Sequence, residues 1–260
     1  MKPRSIWMGQ VRATAFAELE PAFVERSLAW FDKGPTPDDV ELKPGRVWRS
    51  GPYAIKYFPP RSTSPLRRSK ARRNADLHFS LAPVPTPRPL LVLERASKES
   101  LLAFEFVEGE FLDNLWEAGG PAVAAFPRFL ADMHRRRIFH GDFHLRNFVW
   151  NSRDWVLLDL DGVRPPLHAL RGKTLAFEHW ARVHFGLRGA RGLRASFEQY
   201  MEYAKVSWHP QLAWMRVVAR SMKLARQRGL DTAYALEGPG QSETISPARQ
   251  RMLGLVSWLS

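Results

Sequence analysis

Two neighbouring runs decide the reading of this chain: Ile138-Phe-His-Gly-Asp-Phe-His-Leu-Arg-Asn-Phe-Val-Trp150, and Val156-Leu-Leu-Asp-Leu-Asp161. Phe148–Trp150 and 155–158 are short apolar stretches with strand character, and a polar loop precedes the first of them. Within that loop Asp142 and Asn147 are five residues apart, and Asp159 ends the second apolar stretch seventeen residues after Asp142. The five-residue offset turns the chain so that Asp142 and Asn147 point into one site. A lone Asp in a loop is usually a turn or a cap, and a lone His is usually structural. Their conjunction, between apolar strands and after an amphipathic helix, carries the functional reading.

Working outward, residues 121–136 place Phe126, Phe129, Leu130 and Met133 at i, i+3, i+4 and i+7, which predicts a helix with one apolar face. Beyond Pro166 the pattern predicts helices near 172–185, 192–204, 209–228 and 247–258. Pro210 suits the start of the third, and Ser246-Pro247 the start of the last. Upstream the character is different. A helix over 20–33 is predicted, with Pro21 at its first position, Val24, Leu28 and Phe31 as its stripe, and Gly34 as its stop. Strands follow at 40–42, 47–49 and 53–58, separated by Pro-Gly and Gly-Pro turns. A basic helix is predicted over 65–81, with Ser64 as N-cap and Pro65 at its first position. Residues 90–95 and 101–107 read as a hairpin around 97–100. No internal repeat is present.

The pattern His-Gly-Asp-x-x-x-x-Asn with a later Asp resembles the catalytic and metal loops of the protein-kinase-like superfamily, whose pattern is H-R-D-x-x-x-x-N. The resemblance implies an α+β, two-lobe fold. It places a β-rich N-lobe at 1–107, a helical C-lobe at 108–260, and an ATP cleft between them. It implies that Asp142 sits beside the acceptor hydroxyl and that His140 buttresses the loop by hydrogen bonding. Asn147 and Asp159, with Asp161 as a further candidate, would hold the Mg²⁺ that bridges ATP phosphates. Phosphoryl transfer needs positioning and charge neutralisation more than covalent help. Upstream, Tyr53-Ala-Ile-Lys-Tyr-Phe58 resembles the V-A-I-K strand. Ala54 and Lys56 share one strand face, so Ala54 would leave room for adenine while Lys56 reaches the α- and β-phosphates. Glu105, Phe106 and Val107 fall where the interlobe hinge is expected, with backbone groups toward adenine.

The chain departs from the kinase pattern in three places. No Gly-rich loop precedes Lys56; Gly45 and Gly51 are the nearby glycines, and any covering loop near 43–46 is short. Asn74 stands where related sequences carry the Glu that pairs with the strand lysine. Asp76 lies about 200° round the helix and does not replace it. Asp159-Leu-Asp161 stands for D-F-G, and no A-P-E follows.

The wording His-Gly-Asp-Phe-His-x-x-Asn-Phe with Leu-Asp-Leu-Asp is most similar to the bacterial lipopolysaccharide kinases, of Kdo and core-heptose type. That likeness covers roughly residues 40–200. It implies ATP-dependent phosphorylation of a sugar hydroxyl on an anionic glycolipid, by a cytoplasmic protein touching the inner face of the membrane. Other classes share parts of the pattern. A small-molecule phosphotransferase of aminoglycoside or choline kinase type shares the motif, but its cationic acceptors need acidic clusters, which are sparse here. A nucleotide-binding pseudokinase is motivated by Asn74 and the missing Gly-rich loop. Nucleic-acid binding is not expected, because the ten Trp fall at core-like spacings, as with Trp116, Trp180 and Trp214.

Charge and composition fit an anionic partner. The 260 residues carry 39 Lys+Arg against 26 Asp+Glu, a net charge of +13. Arg61, Arg67, Arg68, Lys70, Arg72 and Arg73 crowd into thirteen residues. Each such cation near an anionic membrane surface contributes about 1 kcal/mol. Cysteine is absent, which excludes disulfides and thiolate zinc sites. No run of about 18 apolar residues and no signal-like apolar segment occurs, so a cytosolic protein is expected.

Overall fold

The computed structural model describes residues 3–60, 68–164 and 169–231. Ser64, Pro65, Arg61, Arg67 and the helix expected at 247–258 lie outside them, as do the side chains of Arg164, Arg171 and Lys173. The chain divides into two compact units, Met1–Glu108 and Gly109–Ser260. The α+β class read from the sequence is the one observed: the first unit is built on an antiparallel sheet, the second is mainly helical.

The first unit holds β1 (Arg4–Met8), β2 (Val11–Ala15), α1 (Pro21–Lys33), β3 (Val40–Lys43), β4 (Val47–Ser50), β5 (Tyr53–Phe58), α2 (Lys70–Ser80), β6 (Pro89–Arg95) and β7 (Ser100–Glu105). The seven strands run in the order β1-β2-β6-β7-β5-β4-β3. The inner strands are covered on both faces, which explains the unbroken apolar runs at 90–93 and 101–103. On one face Phe23, Trp30 and Phe31 of α1 pack with Trp48, Ile55, Leu91, Leu93, Leu101 and Ala103. On the other, Ala71 and Ala75 of α2 meet Phe58, Val92 and Leu102. Alternation along β5 sends Ile55 to the α1 face and puts Ala54, Lys56 and Phe58 on the α2 face.

Three expectations for this unit need correction. The buried face of α1 is Phe23, Ser27, Trp30 and Phe31, with Val24 and Leu28 only at its rim. The basic helix begins at Lys70, not at 65, because Arg68 and Ser69 are non-helical and the Ser69 side chain caps it, accepting from the Arg72 N–H at 3.1 Å. Strand β7 stops at Glu105, before Val107. The hairpin β1–β2 was not read from the sequence at all. It turns tightly at Gly9-Gln10, with Met8 opposite Val11, and β1 is exposed along its length, so it shows little apolar alternation. Ser69→Ala is expected to destabilise the unit by about 1 kcal/mol, the usual value of an N-cap, read as a lower denaturant midpoint.

The second unit holds β8 (Glu110–Phe111), α3 (Leu112–Leu115), α4 (Gly120–Arg135), β9 (Phe139–His140), β10 (Phe148–Trp150), β11 (Trp155–Leu157), β12 (Val163–Arg164), α5 (Ala169–Gly186), α6 (Leu193–Tyr203) and α7 (Pro210–Gln227). Strands β11-β10-β8 form one small sheet and β12-β9 another. Helix α5 packs on α7, and α4 on α6. The face expected on α4 is buried through Phe126, Leu130 and Met133, and Phe129 lies at its edge. Phe126 meets Phe148, Trp155 and Trp180 edge-on, at centroid distances of 5.6, 5.3 and 6.2 Å. Trp116 and Trp180 are buried as expected, and Trp214 is half-buried against His184 and Phe197. Among the described tryptophans Trp7 is the exception, 68% exposed on β1. Gly109 opens this unit where nothing larger fits: a Cβ there would lie 2.2 Å from the Trp150 carbonyl oxygen.

Candidate active site

Strand β9 delivers the polar loop. His140 pairs with Val163 of β12, and the Gly141 N–H donates to the Gly162 carbonyl at 2.8 Å. The chain then passes Asp142, buries Phe143 and closes a 3₁₀ turn over Leu145–Asn147. Phe143 lies between the His179 ring, 4.3 Å away, and Phe148, 4.8 Å away. Leu145 is seated against the end of α5, where a Cβ on Gly186 would come within 2.6 Å of it. Arg146 reaches Asp113 on α3 at 3.2 Å.

These constraints bring four of the predicted residues together. The Asn147 side-chain amide donates to the Asp142 carbonyl at 3.0 Å, which leaves its oxygen as the group able to act as a ligand. The Asn147 carbonyl accepts from the Leu158 N–H at 2.7 Å, tying the loop to the residue before Asp159. His140 Nε2 lies 2.6 Å from the Asp159 carbonyl oxygen. A carbonyl only accepts, so Nε2 carries the proton. The 3.5 Å approach of the Asn147 amide to the same nitrogen therefore sets donor against donor and is no hydrogen bond. Asp159 is held at φ 47°, ψ 68°, in the left-handed region. A non-glycine residue there costs roughly 1–2 kcal/mol, and such conformations concentrate at functional sites. Asp142 and Asp161 are exposed and Asp159 half-buried.

Among the described residues no cluster of three or more His, Cys, Asp or Glu side chains forms a ready-made cage. An amide oxygen and one or two carboxylates are nevertheless a donor set that suits Mg²⁺, which keeps several waters and takes phosphate oxygens as its remaining ligands.

Gly162 is a site residue that sequence reasoning passed over, although it directly follows Asp161. A Cβ there would meet the Asp142 backbone nitrogen at 3.0 Å and the His140 ring at 3.0 Å. Gly162→Ala is expected to displace the loop and destabilise the unit by about 1–3 kcal/mol, the usual cost of overpacking. The check is a lower denaturant midpoint beside an unchanged far-UV spectrum.

In the first unit Lys56 is buried on the α2 face of β5, and Asn74 is buried on α2. Asp76 points the other way and pairs with Arg68 and Arg72, at 2.7 and 3.2 Å. A further residue faces Lys56 that the sequence did not mark, His78, one turn after Asn74. Burial, and then the Lys56 charge, push its pKa down to about 4, while its ring bonds the Pro87 backbone. Ala54 is buried one alternation from Lys56. In the expected hinge segment the Glu105 N–H donates to the Arg88 carbonyl and the Phe106 N–H to the Pro52 carbonyl, at 3.0 and 2.9 Å. The short turn at 43–46 has its Gly45 N–H bonded to the Glu41 carboxylate at 2.6 Å.

Four buried histidines set an acid limit. Burial holds His134 down to about 3 and His184 down to about 4, depresses His179 well below the usual imidazole value, and together with Lys56 lowers His78. The unfolded chain binds their protons first, so stability is complete above about pH 6.5 and falls as pH drops toward 3. Each histidine steepens the loss by up to about 1.4 kcal/mol per pH unit. Denaturant midpoints between pH 7 and pH 4 check this, and a midpoint that stays flat would contradict it.

No family model matches the chain, and no curated protein matches it. Among solved structures it is similar to the aminoglycoside phosphotransferase APH(3'')-Id from Streptomyces rimosus, at 15% identity over 78% of this chain and 99% of that one, with a TM-score of 0.48. It is also similar to the PknI kinase domain of Mycobacterium tuberculosis, at 17% identity, 95% and 93% coverage and a TM-score of 0.36. A third is Rad53 residues 1–466 in complex with AMP-PNP, at 14% identity, 89% and 74% coverage and a TM-score of 0.40. Likenesses of this size assign no substrate. No helix among the described residues is long and apolar enough to cross a membrane.

Proposed function

We propose that the chain is an ATP-dependent phosphotransferase acting on an alcohol. The observation that carries this is the cross-tied loop of the second unit. Exposed Asp142 has its carbonyl held by Asn147, and the left-handed Asp159 has its carbonyl held by His140. Asp142 accepts the proton of the acceptor hydroxyl. Asn147 and Asp159 would hold Mg²⁺, with Asp161 as the alternative carboxylate, and the bound ion would supply charge neutralisation. In the first unit Lys56 contacts phosphate and Ala54 leaves space beside adenine. Because the Glu105 and Phe106 amides donate elsewhere, contact from the hinge segment falls to Val107 and to carbonyl oxygens. The Gly45 amide already bonds a carboxylate, so the turn at 43–46 contributes little to holding phosphate.

The finer reading is a sugar hydroxyl on a lipopolysaccharide core or similar anionic glycolipid, reached at the membrane surface. The net charge of +13 and exposed Arg68 and Arg73 support it. The ion pairs of Arg68 and Arg72 with Asp76 reduce the charge available. The test is transfer of labelled γ-phosphate from ATP to lipid A core fragments, with aminoglycosides and choline in parallel. Labelled core fragments support the finer reading. Labelled aminoglycoside or choline alone would replace it with the small-molecule reading. A second reading, nucleotide binding without transfer, is favoured by Asn74, buried on α2 where the resemblance expects the Glu that pairs with the strand lysine. It predicts Mg·ATP binding with no labelled product from any acceptor.

A further inference from the structure

Behind the loop lies a chain of buried polar groups that no step above uses. Tyr200 on α6 has its hydroxyl 2.8 Å from His134 Nδ1, at the end of α4. His134 Nε2 is 2.8 Å from Nδ1 of His179 on α5. His179 Nε2 is 3.0 Å from the carbonyl oxygen of His140. The relative exposures of Tyr200, His134 and His179 are 1, 9 and 2%. Buried polar groups in such a place stay neutral and must be hydrogen-bonded.

The chemistry allows one arrangement of protons. The His140 carbonyl only accepts, so His179 carries its proton on Nε2 and its Nδ1 is bare. His134 must then donate from Nε2, which leaves its own Nδ1 bare, and the Tyr200 hydroxyl must donate to it. Past the carbonyl, His140 itself donates from Nε2 to the Asp159 carbonyl. Every link from α6 to the candidate metal ligand therefore runs in the same direction.

We propose that Tyr200, His134 and His179 form a one-way hydrogen-bond relay that fixes the His140 carbonyl, and that they act as positioning residues for Asp142. Three helices thus share one polar anchor for the loop. A carbonyl held from behind by a fixed donor keeps the next two residues, Gly141 and Asp142, in register. The link to catalysis rests on the phosphotransferase reading, but the relay itself does not.

Two measurements test it on the full chain. Long-range ¹H–¹⁵N spectra of ¹⁵N-histidine protein should show His134 and His179 as neutral Nε2–H tautomers, with assignments made by single His→Gln variants. An Nδ1–H tautomer or a doubly protonated ring at either residue overturns the relay. The second measurement compares His179→Gln, whose amide still donates and accepts, with His179→Leu, which does neither, using Mg·ATP turnover with water as acceptor. His179→Leu should lose about 100-fold in kcat with Mg·ATP affinity unchanged, and His179→Gln should keep most of the turnover. Losses that merely follow the fall in Tm in both variants, or an unaffected His179→Leu, overturn the positioning role. Should His179→Leu fail to fold, Tyr200→Phe takes its place: a fall in kcat at unchanged Mg·ATP affinity supports the relay, and an unchanged kcat overturns it. Wild-type protein with neither Mg·ATP turnover nor labelled product from any acceptor removes the phosphotransferase reading and with it the catalytic role, and the spectra alone then decide whether the relay exists.

Discussion

Asp142→Asn is expected to lower phosphoryl-transfer turnover by about 10³-fold, within the range for losing a positioned general base. The substitution keeps the shape of the side chain. It also keeps the backbone contacts that place it: the Asn147 amide on its carbonyl and the Gly141–Gly162 bond just before it. What it removes is the ability to take a proton from the attacking hydroxyl. Affinity for Mg·ATP is expected to stay near the wild-type value, because the metal is assigned to Asn147 and Asp159. The check is kcat for transfer beside a separate binding isotherm. A loss smaller than about tenfold would mean that Asp142 is not the base.

Phe126→Ala is expected to destabilise the second unit by about 3–5 kcal/mol, the usual cost of emptying a buried aromatic position. Phe126 is fully buried on α4 and touches Phe148 of β10, Trp155 of β11 and Trp180 of α5. It therefore joins the small sheet that carries Asn147 and Asp159 to the helices behind it. Trp155 is further pinned by its indole N–H on the Ala122 carbonyl at 2.8 Å, so the wall around the void has little freedom to collapse. Denaturant unfolding followed by tryptophan fluorescence should show the lower midpoint with an unchanged slope. A change of less than about 1 kcal/mol would show that the site relaxes.

How much was legible beforehand follows from the range of the interactions involved. The shape of the loop at 138–161 was readable because its geometry is local: Asp142, Asn147 and Asp159 sit at spacings set by one strand, one turn and one more strand. The helix 120–135 was readable from its apolar period. Strands at 90–93 and 101–103 showed as apolar runs because both sheet faces are covered. The start of α2 was misplaced because Ser64 and Ser69 both suit an N-cap, and the choice depends on where Ala71 and Ala75 reach the sheet. The hairpin at 4–15 was missed because an exposed edge strand carries no alternation. Gly162 was passed over because its need for a bare Cα comes from His140 and Asp142, twenty residues away. The relay was invisible for the same reason. His134, His179 and Tyr200 lie on three helices, and alone each is an ordinary core polar residue. His78 became notable only once α2 packed it toward Lys56.

The proposed service of this loop to a metal–nucleotide complex underlies every assignment made to it. It is tested most directly by thermal stability with and without Mg·ATP, on wild type and on Asp159→Asn. A ligand that binds only the folded state adds RT ln(1 + [L]/Kd), about 2.7 kcal/mol at a hundredfold excess over Kd. A clear rise in Tm is expected for wild type, one that requires Mg²⁺ and is lost in Asp159→Asn. No shift at millimolar Mg·ATP, or an equal shift in both proteins, would contradict it.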